Sequence, residues 1–345
     1  MSSAHYWVSC PNEGLPAKRR MTLNHRALQR LQQLVTDVPL SPERYTLHEI
    51  IGQGGMGTVY RAHDSVLERD VAFKLLDERS EGVAEAGARL QREANILAQL
   101  EHPGIVPVHD AGELSDGRAF YVMQLVRGER LDEYASHGLS RGDALRLMLR
   151  LCEIVAFANA RYVVHRDLKP GNIMIGPFGE VLLLDWGVAK LLVPAMGNAT
   201  DTPASRRLPV TSAADPTVDG MIVGTPGYMS PEQEAGDSAR VEQTADVYSL
   251  GVILRELLQS APDANNRALN AIVDRATAWK SGDRYVSAAA FADDIRRWLD
   301  GQSVSAHQES TVERAVRVYR QHQAAVLLVL TYLLVRVVIL LWRHI

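Results

Sequence analysis

Two cysteines in 345 residues, Cys10 and Cys152, are too few for a disulfide framework or a thiolate zinc site. Cys152 falls inside an apolar helical pattern and reads as a core residue. Charge of one sign is also lacking: the net charge is −4, which implies no nucleic-acid partner. No apolar segment near the N-terminus has the form of a signal peptide, and no internal repeat is present. What the chain does have is apolar mass, 46% of its residues, enough for one large bilobed domain or two ordinary ones with appendages.

The most informative stretch is 163–172, VVHRDLKPGN, followed by 181–190, VLLLDWGVAK. Between them the runs 173–175 and 181–184, with Gly176-Pro177-Phe178-Gly179 in the middle, read as two short strands joined by a tight reversal. Such a hairpin carries Asn172 and Asp185 at its open end, with Asp167 and Lys169 a few residues away. Oxygen ligands beside one ammonium suit a hard cation that holds phosphate oxygens. One carboxylate is left over to take a proton from a hydroxyl.

Upstream, 45–64 reads as a hairpin with a glycine-rich tip at Gly52–Gly57, and 69–76 as a third strand that carries Lys74. Glycines leave backbone N–H groups open to phosphate oxygens. A strand follows the glycines where a dinucleotide fingerprint requires a helix, and no lysine follows Gly57 as in a Walker A loop. The segment 84–100 reads as a helix with Leu90, Leu97 and Leu100 on one stripe. Glu93 shares that stripe and needs a cation there, for which Lys74 is the natural candidate. Two or three more strands end near Gly128, after which 141–161 has the pattern of a buried helix. The long stretch 192–219, rich in Pro, Ala, Ser, Thr and Asp, has the length of a functional loop; Thr211, Ser212 and Thr217 within it, and Thr225 just beyond it, are phosphoacceptor candidates. A buried helix is read over 245–258, with Asp246 as a candidate cap, and further helices over 266–280 and 288–299.

In order, GQGGMGTV, VAFK, REANIL, HRDLKPGN, DWG, GTPGYMSPE, TADVYSLG and SGDRY resemble the motifs of the bacterial eukaryotic-like (Hanks-type) serine/threonine protein kinases. The resemblance covers roughly 250 residues, from Tyr45 to Leu299, and a set of ordered motifs is far more specific than any one of them. It implies an α+β, bilobal protein-kinase-like fold over 45–300. A small, mainly β lobe with one regulatory helix would occupy 45–126, a larger, mainly α lobe 127–300, and ATP the cleft between them.

Residue by residue, the resemblance implies that Ile51, Gly52, Gln53, Gly54, Gly55, Met56 and Gly57 cover the nucleotide. Lys74 would contact its phosphates, steadied by Glu93. Val59 and Ala72 would pack on the adenine, with Met123 behind it and Gln124 to Val126 as the hinge. Asn172 and Asp185 would hold Mg2+, or Mn2+ in its place. Asp167 would orient the substrate hydroxyl and take its proton, and Lys169 would neutralise the transferred phosphoryl, as in the serine/threonine branch. Arg166 beside Asp167 implies control by a phosphate on the long loop. Glu232 with Arg284 resembles a structural ion pair, and Asp246 the buried aspartate that ties down the catalytic loop. Trp186 departs from the usual Phe, and the larger indole would restrict the inactive flip of this segment.

Outside the resemblance lie residues 1–44, read as a partly disordered extension, and 301–323, a basic linker. The run 324–342, broken only by Arg336, has the length of a transmembrane helix. Arg314, Arg317, Arg320 and His322 before it place the domain on the cytoplasmic side of the cell inner membrane, single-pass. Almost nothing follows the span, so no large external sensor is expected. The rival reading packs this helix on the domain and leaves a soluble cytoplasmic protein. The expected activity is transfer of the ATP γ-phosphate to protein Ser/Thr hydroxyls, with autophosphorylation of 192–225 within a homodimer. The alternatives are a pseudokinase scaffold that binds nucleotide without turnover, and a small-molecule or lipid kinase, which GTPGYMSPE disfavours.

Overall fold

The computed structural model describes residues 44–54, 57–76, 83–192, 224–237, 240–259, 266–321 and 323–342. Strands β1 (Tyr45–Gly54), β2 (Gly57–Asp64), β3 (Arg69–Leu75), β4 (Val108–Glu113) and β5 (Ala119–Gln124) form one antiparallel sheet in the order β1-β2-β3-β5-β4. The two-residue period of β3 divides its side chains between two cores. Val71, Phe73 and Leu75 join Tyr45, Leu47, Ala62, Leu114 and Val122 on the outer face, where Phe73 stacks on Phe120 at 4.8 Å. Ala72 turns to the inner face and the main core, and Lys74, two residues on, follows it. Helix α1 (Val83–Gln99) packs across β4 and β5, burying Leu90, Ala94 and Leu97 together with Glu93.

Below the sheet the pattern becomes helical. A two-residue strand β6 (Glu129–Arg130) leads into α2 (Leu131–Ser136), a helix that no periodicity announced. Helix α3 (Arg141–Asn159) starts at Ser140, whose hydroxyl accepts the Asp143 N–H in the manner of an N-cap, and buries Leu145, Met148, Leu151, Cys152 and Val155. Burial pushes the Cys152 thiol well up from its ordinary value, so it stays a neutral core group. β7 (Val163–Val164) pairs with β10 (Lys190–Leu191), and β8 (Ile173–Ile175) with β9 (Val181–Leu183), Ile173 facing Leu183. The hairpin read between 173 and 184 therefore forms, and β6 extends it on the β8 side.

Helices α4 (Pro231–Glu234), α5 (Gln243–Gln259), α6 (Arg267–Ala276) and α7 (Ala288–Leu299) complete this lobe, α3 packing on both α5 and α7. Asp246 is not an end cap. It lies inside α5, fully buried, and accepts from backbone groups eighty residues away. The stretch read as the start of a linker is pinned instead: Val304 is buried, and Asp294 of α7 accepts the Ser305 and Ala306 N–H groups at 2.7 and 3.0 Å.

The chain continues into α8 (Thr311–Gln321) and α9 (Gln323–Trp342). Among the described residues no helix is long and apolar enough to cross a membrane. The backbone of α9 is helical over 20 residues, with Arg336 its single charged residue.

Candidate active site

The site lies where β1, β2, β3, α1, the 165–172 loop and the end of β9 converge. Ile51, Val59, Ala72, Met123 and Val126 all belong to the main core cluster, on the inner face of the sheet. Ala72 faces Met123 across the β3–β5 ladder, and Val59 faces Lys74 across β2–β3. Gly52, Gln53 and Gly54 continue β1 toward the hairpin tip, with Gln53 and Gly54 exposed. Gly57 takes φ 135°, and a Cβ there would run into the Leu75 carbonyl oxygen, so only glycine lets β2 start so close to β3. Gly55 and Met56 lie outside the described residues, as do Thr211, Ser212 and Thr217.

Lys74 and Glu93 form the pair that the helix stripe demanded. The ammonium donates to both Glu93 oxygens, at 2.9 and 2.8 Å, and lies 3.7 Å from Asp185 Oδ1. Burial works to lower the Lys74 pKa, but the charge of Glu93, with Tyr121 and Asp185, outweighs it and holds the pKa well above the ordinary lysine range. Tyr121, which sequence reasoning missed, donates its hydroxyl to Glu93 Oε1 at 2.9 Å. No motif marks it; the signal was its place two residues before Met123, on the same face of β5.

The hairpin brings the second group together. The Leu184 N–H donates to the Asn172 carbonyl at 2.8 Å, closing the open end of β8–β9 and setting Asn172 and Asp185 at its mouth. Asn172 Nδ2 donates to the Asp167 carbonyl and to its Oδ2, at 2.9 and 3.1 Å. The amide oxygen is thereby left as the acceptor turned to a cation, while the Asp185 side chain is 47% exposed. Among the described residues no cluster of three or more His, Cys, Asp or Glu is arranged to hold a metal unaided. One amide oxygen and one carboxylate fit Mg2+, which keeps waters and takes its other ligands from phosphates.

Asp167 sits within a ring of donors. Lys169 Nζ lies 2.9 Å from its Oδ2, and the Thr225 hydroxyl donates to its Oδ1 at 2.7 Å while accepting from Lys169 Nζ at 2.6 Å. Burial alone would raise the Asp167 pKa; the Thr225 hydroxyl and the Lys169 ammonium reverse this and hold the carboxyl below its ordinary value. Thr225 therefore lies against Asp167 and Lys169, a contact that its reading as a phosphoacceptor candidate did not foresee.

A second layer holds the loop. Asp246 accepts the His165 and Arg166 N–H groups and the Asn159 amide, each at 3.0 Å. Burial pushes its pKa up even against these three donors. Arg166 is buried at φ 69°, and its carbonyl accepts Gln233 Nε2 at 2.8 Å. Asp185 takes φ 55°. Two non-glycine residues in the left-handed region cost about 1 kcal/mol each, and the bonds around them offset this. His165 Nδ1 accepts the Asp167 N–H at 3.3 Å, so Nε2 carries the proton and donates to the Leu184 carbonyl at 3.0 Å. Trp186 is buried edge-on to that imidazole, ring centroids 4.6 Å apart, and its indole N–H has no hydrogen-bond partner among the described residues. Arg284 holds Glu232 through two bonds of 2.7 and 2.8 Å and donates to the carbonyls of Thr244, Ala278 and Trp279.

A two-lobed fold with a buried Lys–Glu pair above an Asp, Lys, Asn and Asp constellation defines a phosphoryl-transfer domain. The family model described as protein kinase domain matches residues 45–281, and the chain belongs to that family. The serine/threonine-protein kinase PknD of Protochlamydia amoebophila (strain UWE25) is 36% identical over 237 residues, covering 65% of this chain and 24% of that protein. PknD of Chlamydia abortus is 33% identical over 297 residues, 75% of this chain and 31% of that one. The chain thus spans about a quarter to a third of these relatives' length. The crystal structure of the Mycobacterium tuberculosis PknI kinase domain superposes with a TM-score of 0.54 at 26% identity, covering 74% of this chain and 96% of that one.

Proposed function

We propose that the protein transfers the γ-phosphoryl group of ATP to serine and threonine hydroxyls of protein substrates, its own 192–225 loop among them. The observation that carries this reading is the Thr225 hydroxyl, 2.7 Å from Asp167 Oδ1 and 2.6 Å from Lys169 Nζ. An aliphatic hydroxyl thus already sits within reach of a carboxylate acceptor and a neutralising cation, the position an incoming protein hydroxyl would take.

In this reading the backbone of Gly52–Gly57 covers the phosphates and Lys74, held by Glu93, contacts them. Ile51, Val59, Ala72 and Met123 enclose the adenine beside the hinge at Gln124 and Val126. Asn172 and Asp185 hold Mg2+, with Mn2+ able to replace it; when bound, the ion neutralises phosphate charge. Asp167 orients the substrate hydroxyl and accepts its proton, and Lys169 offsets charge on the transferred group. Because phosphoryl transfer needs mainly positioning and charge neutralisation, this set suffices. Arg166 clamps a phosphate on the loop, at Thr211, Thr217 or Thr225, and two copies of the chain phosphorylate each other.

The kinase domain occupies 45–300, and α9 anchors it in the inner membrane with the domain in the cytoplasm. Twenty helical residues rise about 30 Å. Leu327, Leu328, Val329 and Leu330 are each more than half exposed; four consecutive positions cover all sides of a helix, which favours lipid contact over packing on the domain.

Mass spectrometry of the purified chain after incubation with Mg-ATP tests the activity. Phosphate is expected on Ser or Thr of the 192–225 loop, with incorporation lowered about 10²- to 10⁴-fold in Asp167→Asn and abolished in Asp185→Asn. A folded wild-type chain that takes up no phosphate overturns the reading.

A further inference from the structure

The cluster around Lys74 contains a group that no motif announces. Tyr121 stands directly opposite Lys74 in the β3–β5 ladder, where cross-strand side chains meet on one face, and is 2% exposed. Its hydroxyl donates to Glu93 Oε1 at 2.9 Å, an oxygen that also accepts from Lys74 Nζ at 2.9 Å. The Lys74 ammonium lies 5.5 Å from the Tyr121 ring centroid, within range of a cation–π contact. Two of the three groups thus belong to the rigid sheet, and the third, Glu93, belongs to α1.

This division matters when a polyanion arrives. Phosphates beside Lys74 compete with Glu93 for the ammonium, and the ion pair alone would loosen as they bind. A buried carboxylate that loses its donors is costly, so α1 would tend to swing out and expose Glu93 to water. The Tyr121 hydroxyl opposes this, because its bond comes from β5, an inner strand of the sheet, and does not depend on where the ammonium points. Burial pushes the Tyr121 pKa far above the ordinary tyrosine value, so the hydroxyl remains a donor across the working pH range.

Building on the kinase reading of the site, we infer that Tyr121 is a positioning residue for phosphate binding: its hydroxyl latches Glu93, and with it α1, to the sheet and so fixes the Lys74 ammonium at the nucleotide phosphates. The latch acts on phosphates and not on adenine, which lies against Val59, Ala72 and Met123. Its removal therefore discriminates between nucleotides that carry phosphates and those that do not, an effect that loss of core packing would not produce.

The decisive variant is Tyr121→Phe, which keeps the ring and removes the hydroxyl. Binding of Mg-ATP and of adenosine to the full chain is measured by calorimetry, beside kcat and KM for ATP. The variant is expected to weaken ATP about tenfold, the scale of one hydrogen bond to a charged group, while adenosine binding stays unchanged. In a Glu93→Ala background, Tyr121→Phe is expected to add nothing further, because the latch acts through Glu93; melting curves establish that each variant is folded. Equal weakening of ATP and adenosine, no weakening of either, or full additivity with Glu93→Ala would overturn the inference and leave the kinase reading standing. A folded wild-type chain that binds neither ligand overturns both. The binding readouts decide even if turnover proves absent.

Discussion

At the scale of the residue, the candidate site is governed by what surrounds one carboxylate. Asp167 receives the Thr225 hydroxyl, the Lys169 ammonium and the Asn172 amide; burial raises its pKa, but the Thr225 hydroxyl and the Lys169 ammonium outweigh it and hold the carboxyl below its ordinary value. On the proposed reading, a carboxylate held ionised in this way aligns the substrate hydroxyl and accepts its proton as charge moves to the phosphate. The pH dependence follows with its sign: a depressed pKa leaves the group charged down to acid conditions, so protonation of Asp167 produces no acid limb in kcat above about pH 5. Initial rates across the pH range check this; an acid limb near neutrality that shifts in Thr225→Ala would contradict it. The same donors account for the placement of Thr225, which the sequence could assign only to a loop.

At the scale of the element, short loops are positioned by long-range bonds to helices. The 165–172 loop hangs from Asp246 of α5, and the segment that ends in α4 is bolted to the turn before α7 by Glu232 and Arg284. Arg284 is fully buried, and it satisfies three carbonyls besides the carboxylate. Arg284→Ala strands a half-buried carboxylate together with those carbonyls, at a cost of about 3–5 kcal/mol, and the chain is expected to unfold several degrees lower. Chemical denaturation of the two proteins measures this; a change under 1 kcal/mol, about the value of an exposed pair, would show that water replaces the guanidinium. The helical periods read over 141–161 and 245–258 were legible because a buried face repeats every 3.6 residues, and the helices run 141–159 and 243–259. Helix α2, with six residues and one buried side chain, is too short to show a period.

At the scale of the whole molecule, one core runs through both lobes: Ile51 and Leu90 belong to the same cluster as Phe291 and Ile295. Past α7 the chain is held by Asp294, which gathers Tyr285, Ser305 and Ala306. The path toward α9 therefore leaves from a fixed point on the large lobe rather than from a loose tether. On the proposed membrane reading, expressed full-length chain stays in the membrane pellet after alkaline carbonate washing, and a chain ending at 310 is released. Release of both under the same wash would favour a helix that packs on the domain or on a partner.

The sequence by itself determined the family, and it named as expectations most of the groups that the fold brings together at the candidate site. Phosphate chemistry demands particular residue types at fixed spacings, and a local hairpin is enough to set Asn172 near Asp185. Only the tertiary structure decided the rest. Asp246 reads along the chain as a candidate cap and, by the resemblance, as the aspartate that ties down the catalytic loop; the fold supplies the contact itself, with backbone groups eighty residues away. Thr225 and Tyr121 gain their roles from partners 58 and 28 residues distant. Those contacts rest on a hydroxyl reaching a buried carboxylate, and neither the period of a helix nor the alternation of a strand encodes which carboxylate lies opposite.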